Sequence, residues 1–186
     1  MVQGNVLEDE LRRRNRASSR YVSMVLQLTV QVNKVEVTNP TRLANCTASV
    51  QRIGAGSNFQ SYFHLVLHQA VTDARVNVAY FVPMLTGNYD HPIYNRTVSY
   101  CSYLVRPTTD RVLHMIYDGL GRSGNLPKRC PIAPNAYFFN TSWDNIRLPS
   151  ALPSTIFRLN LAFYSGPKME LVVGLRWYGV IKKTDS

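Results

Sequence analysis

The last third of the chain carries two long runs in which alternate residues are apolar. In TIFRLNLAFYS the apolar set is Phe157, Leu159, Leu161 and Phe163. In KMELVVGLRWYGVIKK it is Met169, Leu171, Val173, Leu175 and Trp177. A period of two sets one face of a pleated strand against a core and the other toward water. SGPK between the runs has turn chemistry, so the pair reads as a β-hairpin.

The same period recurs upstream. KVEVTN alternates, NCTASVQRI is β-permissive, and GAGSN supplies a turn after it. SYFHLVLHQ puts Phe63, Leu65 and Leu67 on one face; ARVNVAYFV does so with Val76, Val78, Tyr80 and Val82, and Pro83 ends it. IYNRTVSY is a further strand and AYFFN a short one. One segment breaks the pattern. In DRVLHMIYDGL, Val112, Leu113, Ile116 and Leu120 recur at helical spacing, Thr108 or Thr109 can cap the start, and Gly119 or Gly121 can end it. About seven or eight strands with one short helix predict an antiparallel, immunoglobulin-like β-sandwich.

The first 32 residues are ambiguous. RRRNRASSR precedes YVSMVLQLTVQV, a basic stretch before an apolar one, as in a secretory signal or signal-anchor. Yet Leu26, Leu28, Val30 and Val32 alternate with Gln27, Thr29 and Gln31, which is strand-like, and Glu8, Asp9 and Glu10 are unusual in a leader. The leader reading is favoured, giving a leader over 1–32 and a single domain over 33–186. No run reaches the ~18 apolar residues of a membrane-spanning helix.

The net charge is +10, and residues 33–186 hold 16 Lys and Arg against 8 Asp and Glu. The cations are mostly spread singly, with no zinc-finger, helix-turn-helix or RNP-like pattern, so no specific nucleic-acid partner is expected. GLGRSG (119–124) matches the dinucleotide fingerprint in form. It follows a helix instead of opening one, so it reads as a helix stop. His64 and His68 sit four apart; on a strand that is ~13 Å, too far to share an ion. No metal-ligand spacing, nucleophile motif or paired carboxylates stand out, and neither a catalytic residue nor a cofactor is expected.

Three sequons, at Asn45, Asn95 and Asn140, point toward the secretory pathway and glycosylation. The cysteines are Cys46, Cys101 and Cys130; an odd count leaves one free or paired outside the chain. In an oxidising compartment a Cys101–Cys130 disulfide becomes natural, stapling a strand end to the loop after the helix, worth about 3–4 kcal/mol by chain entropy.

Several stretches coincide in order: ARVNVAYF, YDHPIYNRTVSYCSYL, VLHMIYDGL, SGNLPKRCPI and LPSALPSTIFRLNLAFYS. Together they resemble an insect family of secreted proteins that includes the CheB chemosensory proteins and is distantly related to the ML lipid-recognition domains. The resemblance covers roughly residues 34–183. Its strand motif N-x-T-V-D-F-C is present as Asn95 to Cys101, with Ser99 in place of the Asp, and its C-P as Cys130-Pro131. The family's further cysteine, just after V-x-F-T-N, is missing from VEVTNPTR; that would leave Cys46 without its partner.

The resemblance implies a secreted, monomeric ML-type sandwich with an apolar small molecule or lipid between its sheets, plausible in chemosensation or pheromone response, with a membrane receptor as a further partner. Candidate liners are the inward residues of the strands: Phe63, Leu65, Leu67, Val78, Tyr80, Phe157, Leu159, Leu161, Phe163, Leu171, Val173 and Trp177. A close-packed core needs the same residues, so pattern alone does not separate a cavity from a filled interior. The alternative is a secreted interaction protein with a filled core, docking an acidic receptor, glycan or membrane through its basic surface.

Overall fold

The computed structural model describes residues 27–54, 58–84, 87–143, 146 and 152–184. Among these residues nine strands form two antiparallel sheets. The first has the order β1 (Gln27–Thr38), β9 (Glu170–Thr184), β8 (Thr155–Ser165), β4 (Ala74–Phe81), β5 (Pro92–Ser99). The second runs β2 (Ala44–Ile53), β3 (Asn58–Leu67), β7 (Asn135–Thr141), β6 (Gly124–Asn125). The alternating runs become strands at their expected places. β8 and β9 pair directly across a turn, where Gly166 adopts φ +73° and Met169 N–H donates to the Gly166 carbonyl.

The sandwich reaches further back than expected. Gln27–Val32, assigned above to the leader, form the first half of β1 and pair with β9 from Thr184 to Gly179. Val30 and Val32 are buried there. The period-two signal outweighs the resemblance to a leader because these residues bury one face against a partner strand. Gln27–Val32 therefore belong to the sandwich; residues 1–26, where the rest of the expected leader falls, lie outside the described residues.

The expected helix is Arg111–Gly121, here α2. Its cap is Asp110, not Thr108 or Thr109: the Asp110 carboxylate accepts from Leu113 N–H at 2.9 Å. A carboxylate at this position meets an otherwise unpartnered amide and the positive end of the helix dipole. A six-residue helix, α1 (Tyr100–Val105), and a 3-10 turn (Pro107–Thr109) precede it. α1 starts where Ser99 accepts from Ser102 N–H.

The interior is filled at one end of the sandwich. Trp177 is fully buried there, its ring 5.4 Å from that of Trp143 and 6.1 Å from that of Phe139. Trp143 Nε1–H donates to the buried Ser61 hydroxyl at 2.7 Å. Phe157, Val32 and Ile181 complete this block. At the other end the two helices enter between the sheets.

Candidate functional site

The helical end of the sandwich holds a cavity. Its walls are Phe63, Leu65 and Leu67 of β3, Ala74 and Val76 of β4, Leu161 and Phe163 of β8, and Val172, Val173 and Leu175 of β9. Tyr137 and Phe139 of β7 close one side. Leu113, Ile116, Tyr117 and Leu120 of α2, with Tyr100 of α1, form the roof. The space open to the centre of a water-sized sphere is about 110 Å³, where a single water needs about 10–15 Å³ on the same measure. The empty space between the walls, mouth included, is about 910 Å³. The enclosed part, about 110 Å³, has room for several waters and exceeds the voids that ordinary close packing leaves.

A strap over 122–134 covers the cavity and contributes Leu126, Pro127 and Ile132. Its start is held by the pairing of β6 with β7, and four further contacts tie the rest. Cys130 is joined to Cys101 of α1 by a disulfide with a Cα–Cα separation of 5.5 Å. Ile132 exchanges two backbone hydrogen bonds with Val71, at 2.8 and 3.0 Å. Tyr137 O–H donates to the Ala133 carbonyl at 2.8 Å, and Tyr117 O–H to that of Pro127 at 2.7 Å.

These hydroxyl bonds decide the chemistry of the wall. A tyrosine in a pocket offers a polar handle unless the hydroxyl is already engaged. The Tyr117 and Tyr137 hydroxyls are spent on the strap. Burial pushes the Tyr100 phenol well above its ordinary pKa, and Tyr117 beside it adds to the rise. Among the described residues the lining is almost wholly apolar, with no carboxylate, lysine or arginine in it. It can desolvate a hydrocarbon and cannot solvate a charge.

The roof is held from outside. Asp110 is 3% exposed. Besides capping α2 it accepts from Tyr94 O–H at 3.1 Å and faces Arg96 Nη1 at 3.5 Å, both on edge strand β5. Burial, then the Asp110 bond, raises the Tyr94 phenol. One carboxylate therefore ties the start of α2 to the first sheet.

Of the twelve candidate liners, Phe63, Leu65, Leu67, Leu161, Phe163 and Val173 border the cavity. Val78, Phe157, Leu159 and Trp177 are buried in the filled part, and Tyr80 stacks on Phe157 with centroids 5.6 Å apart. Leu171 is displaced by a bulge. β8 pairs Phe163 with Val173 but Tyr164 with Leu171, so Val172 is the extra residue. Val172 and Val173 both turn inward, at 5% and 1% exposure. Leu171 falls on the other face, beside Gly174. The helix, strap and β7 residues were absent from the sequence-based set. Their signal, an apolar helical stripe and a proline-rich loop, is the same one an ordinary core helix gives.

Cys46 is the free thiol, 2% exposed, and burial pushes its pKa up to about 12. Asn39 holds its backbone from both sides, donating to the Cys46 carbonyl at 2.7 Å and accepting from Cys46 N–H at 3.1 Å. Asn45, Asn95 and Asn140 are all exposed. Asn77 donates to Asn95 Oδ1 at 2.8 Å and to Thr97 Oγ1 at 3.0 Å. Among the described residues no His, Cys, Asp or Glu cluster could hold a metal ion, and no helix is long and apolar enough to cross a membrane.

Residues 76–159 match a family described as a protein of unknown function (DUF1091). No curated protein matches the chain. Chicken MD-1 complexed with lipid IVa is a similar solved structure at 10% identity and TM-score 0.40, covering 83% of this chain and 97% of that one. A Niemann-Pick type C2 protein from Japanese carpenter ant is similar at 10% identity and TM-score 0.33, over 83% and 92%. The C-terminal domain of wzt is similar at 14% and 0.37, over 82% and 80%. These scores are low, and the fold stands on its own strand pairing.

Proposed function

We propose that this chain is a secreted, non-enzymatic binding protein that holds the hydrocarbon part of a lipid, or another apolar molecule, in the cavity beneath α1, α2 and the strap. The observation that carries the reading is a cavity of this size with an apolar wall and with its Tyr117 and Tyr137 hydroxyls bonded to the strap. Each methylene moved there from water gains about 0.8 kcal/mol, so a chain of modest length binds without a polar anchor. The disulfide and the three exposed sequons favour an extracellular setting, with a leader within 1–26. The chemosensory role implied by the resemblance belongs to the same proposal.

Native mass spectrometry of the chain secreted from insect cells, followed by solvent extraction, tests it. A stoichiometric lipid or hydrocarbon is expected. Ala74→Leu and Val173→Phe, which build into the cavity, should lose that ligand while the melting temperature holds or rises. A wild-type chain that is isolated empty and takes up neither fatty acid nor alkane would overturn the reading.

A further inference from the structure

The outer face of the second sheet carries a feature that the cavity does not use. Ala136, Phe138 and Asn140 are the outward residues of β7. Phe138 is 47% exposed, a large ring standing on a strand surface. The β3–β7 register sets Tyr62 opposite Asn140 and His64 opposite Phe138. The β2–β3 register continues the rows with Ser49 beside Tyr62 and Thr47 beside His64. Thr47, Ser49, Tyr62, His64, Phe138 and Asn140 border a shallow depression on this face.

Asn140 is also the first residue of the sequon Asn140-Thr141-Ser142. Outward residues two apart on a strand lie about 6.5–7 Å from one another, and directly opposed side chains closer still. A sugar attached to Asn140 Nδ2 therefore starts within reach of both the Phe138 and the Tyr62 rings. Neither other sequon has this setting. Two residues before Asn45 stands Leu43, and opposite it Val66; two before Asn95 stands Ile93, and opposite it Ala79.

We propose that Asn140 carries an N-linked glycan whose first N-acetylglucosamine lies over the Phe138 ring, with Tyr62 beside it. The aliphatic C–H face of a pyranose presents weakly positive hydrogens to the negative face of an aromatic ring, while its hydroxyls stay in water. The sugar covers part of a phenyl group that the fold leaves 47% exposed. The donor is an oligosaccharide on a polyprenyl diphosphate. The Asn140 Nδ2–C1 bond forms, the C1–oxygen bond to the diphosphate breaks, Nδ2 gives up one proton, and the polyprenyl diphosphate leaves. The proposal rests on the secreted reading above.

The test separates the two. The full chain is produced in insect cells from its own start, and again behind an added cleavable secretion signal. Occupancy is read by glycopeptide mass spectrometry. Tm is then compared between protein trimmed to one N-acetylglucosamine and protein fully deglycosylated, for wild type and Phe138→Ala. Asn140 is expected to be occupied. Removing the last sugar should lower Tm by about 2–4 °C in wild type and by less than half of that in Phe138→Ala. Phe138→Thr and Tyr62→Ala serve the same comparison if Phe138→Ala is not exported. An unoccupied Asn140 in the signal-bearing chain, or an equal loss in wild type and variant, overturns the stacking proposal. A chain that is glycosylated only with the added signal overturns the secreted reading, and the signal-bearing chain alone then decides the stacking.

Discussion

Replacing both Cys101 and Cys130 with alanine shows how strongly the cover of the cavity is held. The bridge spans 29 residues of sequence, which include most of α1, all of α2, and the strap as far as Cys130. For a closed loop of this length the chain-entropy relation gives a denatured-state loss of ~12 cal/mol/K, or about 3.6 kcal/mol at 25 °C. Set against a typical domain stability of about 5–15 kcal/mol, that is a large share. For a chain of this size it corresponds to a Tm lower by about 7–14 °C. Both half-cystines are half-buried, so alanine leaves no polar atom without a partner. Urea unfolding of the oxidised wild type and the double variant, each free of ligand, measures the difference. The same pair should differ in ligand release, because Leu126, Pro127 and Ile132 lie within four residues of Cys130. A stability loss below about 1 kcal/mol would refute the reasoning. The β6–β7 and Val71–Ile132 pairings and the two tyrosine bonds would then be sufficient to hold the strap, and the bridge would be incidental to it.

Three further outcomes follow from the same geometry. Tyr117→Phe removes the hydroxyl bond to Pro127 and leaves an apolar wall; about 1 kcal/mol is lost and the ligand off-rate rises about fivefold, read by competition with a fluorescent fatty acid. Asp110→Ala removes the cap of α2 and the partner of Tyr94, costing about 2 kcal/mol in urea unfolding; Asp110→Asn costs less than half of that, since the Arg96 pair is largely solvent-exposed on the arginine side. Cys46 keeps its proton in the folded chain up to about 12, whereas in the unfolded chain it ionises near about 8.5. Its contribution is therefore complete below the unfolded value and is lost as pH rises through the folded one. The stability difference between wild type and Cys46→Ala should be flat to about pH 8 and shrink above it, and the native thiol should not react with a disulfide reagent at pH 8.

The strands were legible because a half-buried strand writes its burial into every second residue. TIFRLNLAFYS gives β8 from end to end, and the same signal in Leu28, Val30 and Val32 was present in the segment assigned to a leader. There a basic stretch before an apolar one competed with the period, and the pairing with β9 that decides the matter is a contact across the whole chain. The bulge at Val172 was not legible at all. ELVVG offers two consecutive valines, and nothing local says which of them turns inward; the register of β8 makes both do so. α1 was missed because YCSYLV is rich in aromatic and branched residues and only six long, too short for a helical period to emerge.

The cavity was the least legible feature, for a reason that is general to such folds. An apolar residue facing a void and one facing a neighbour obey the same pattern, so strands can nominate inward faces and no more. What separates Leu161 from Leu159 on the same face of β8 is what stands across from it. Leu159 is paired with Trp177, which fills the gap between the sheets, while Leu161 is paired with the smaller Leu175. The two tryptophans, Trp143 and Trp177, fill one end, and the helices with the disulfide-bound strap roof the other, where medium-sized side chains leave space. Substituting Trp177 by leucine should therefore extend the cavity into the filled end and cost less than the about 3–5 kcal/mol usual for truncating a buried aromatic to alanine. If the apolar volume is what binds, the variant should take up longer hydrocarbon chains than the wild type in native mass spectrometry. An unchanged chain-length preference in a variant that still folds would show that the helical roof, and not the depth between the sheets, sets the limit.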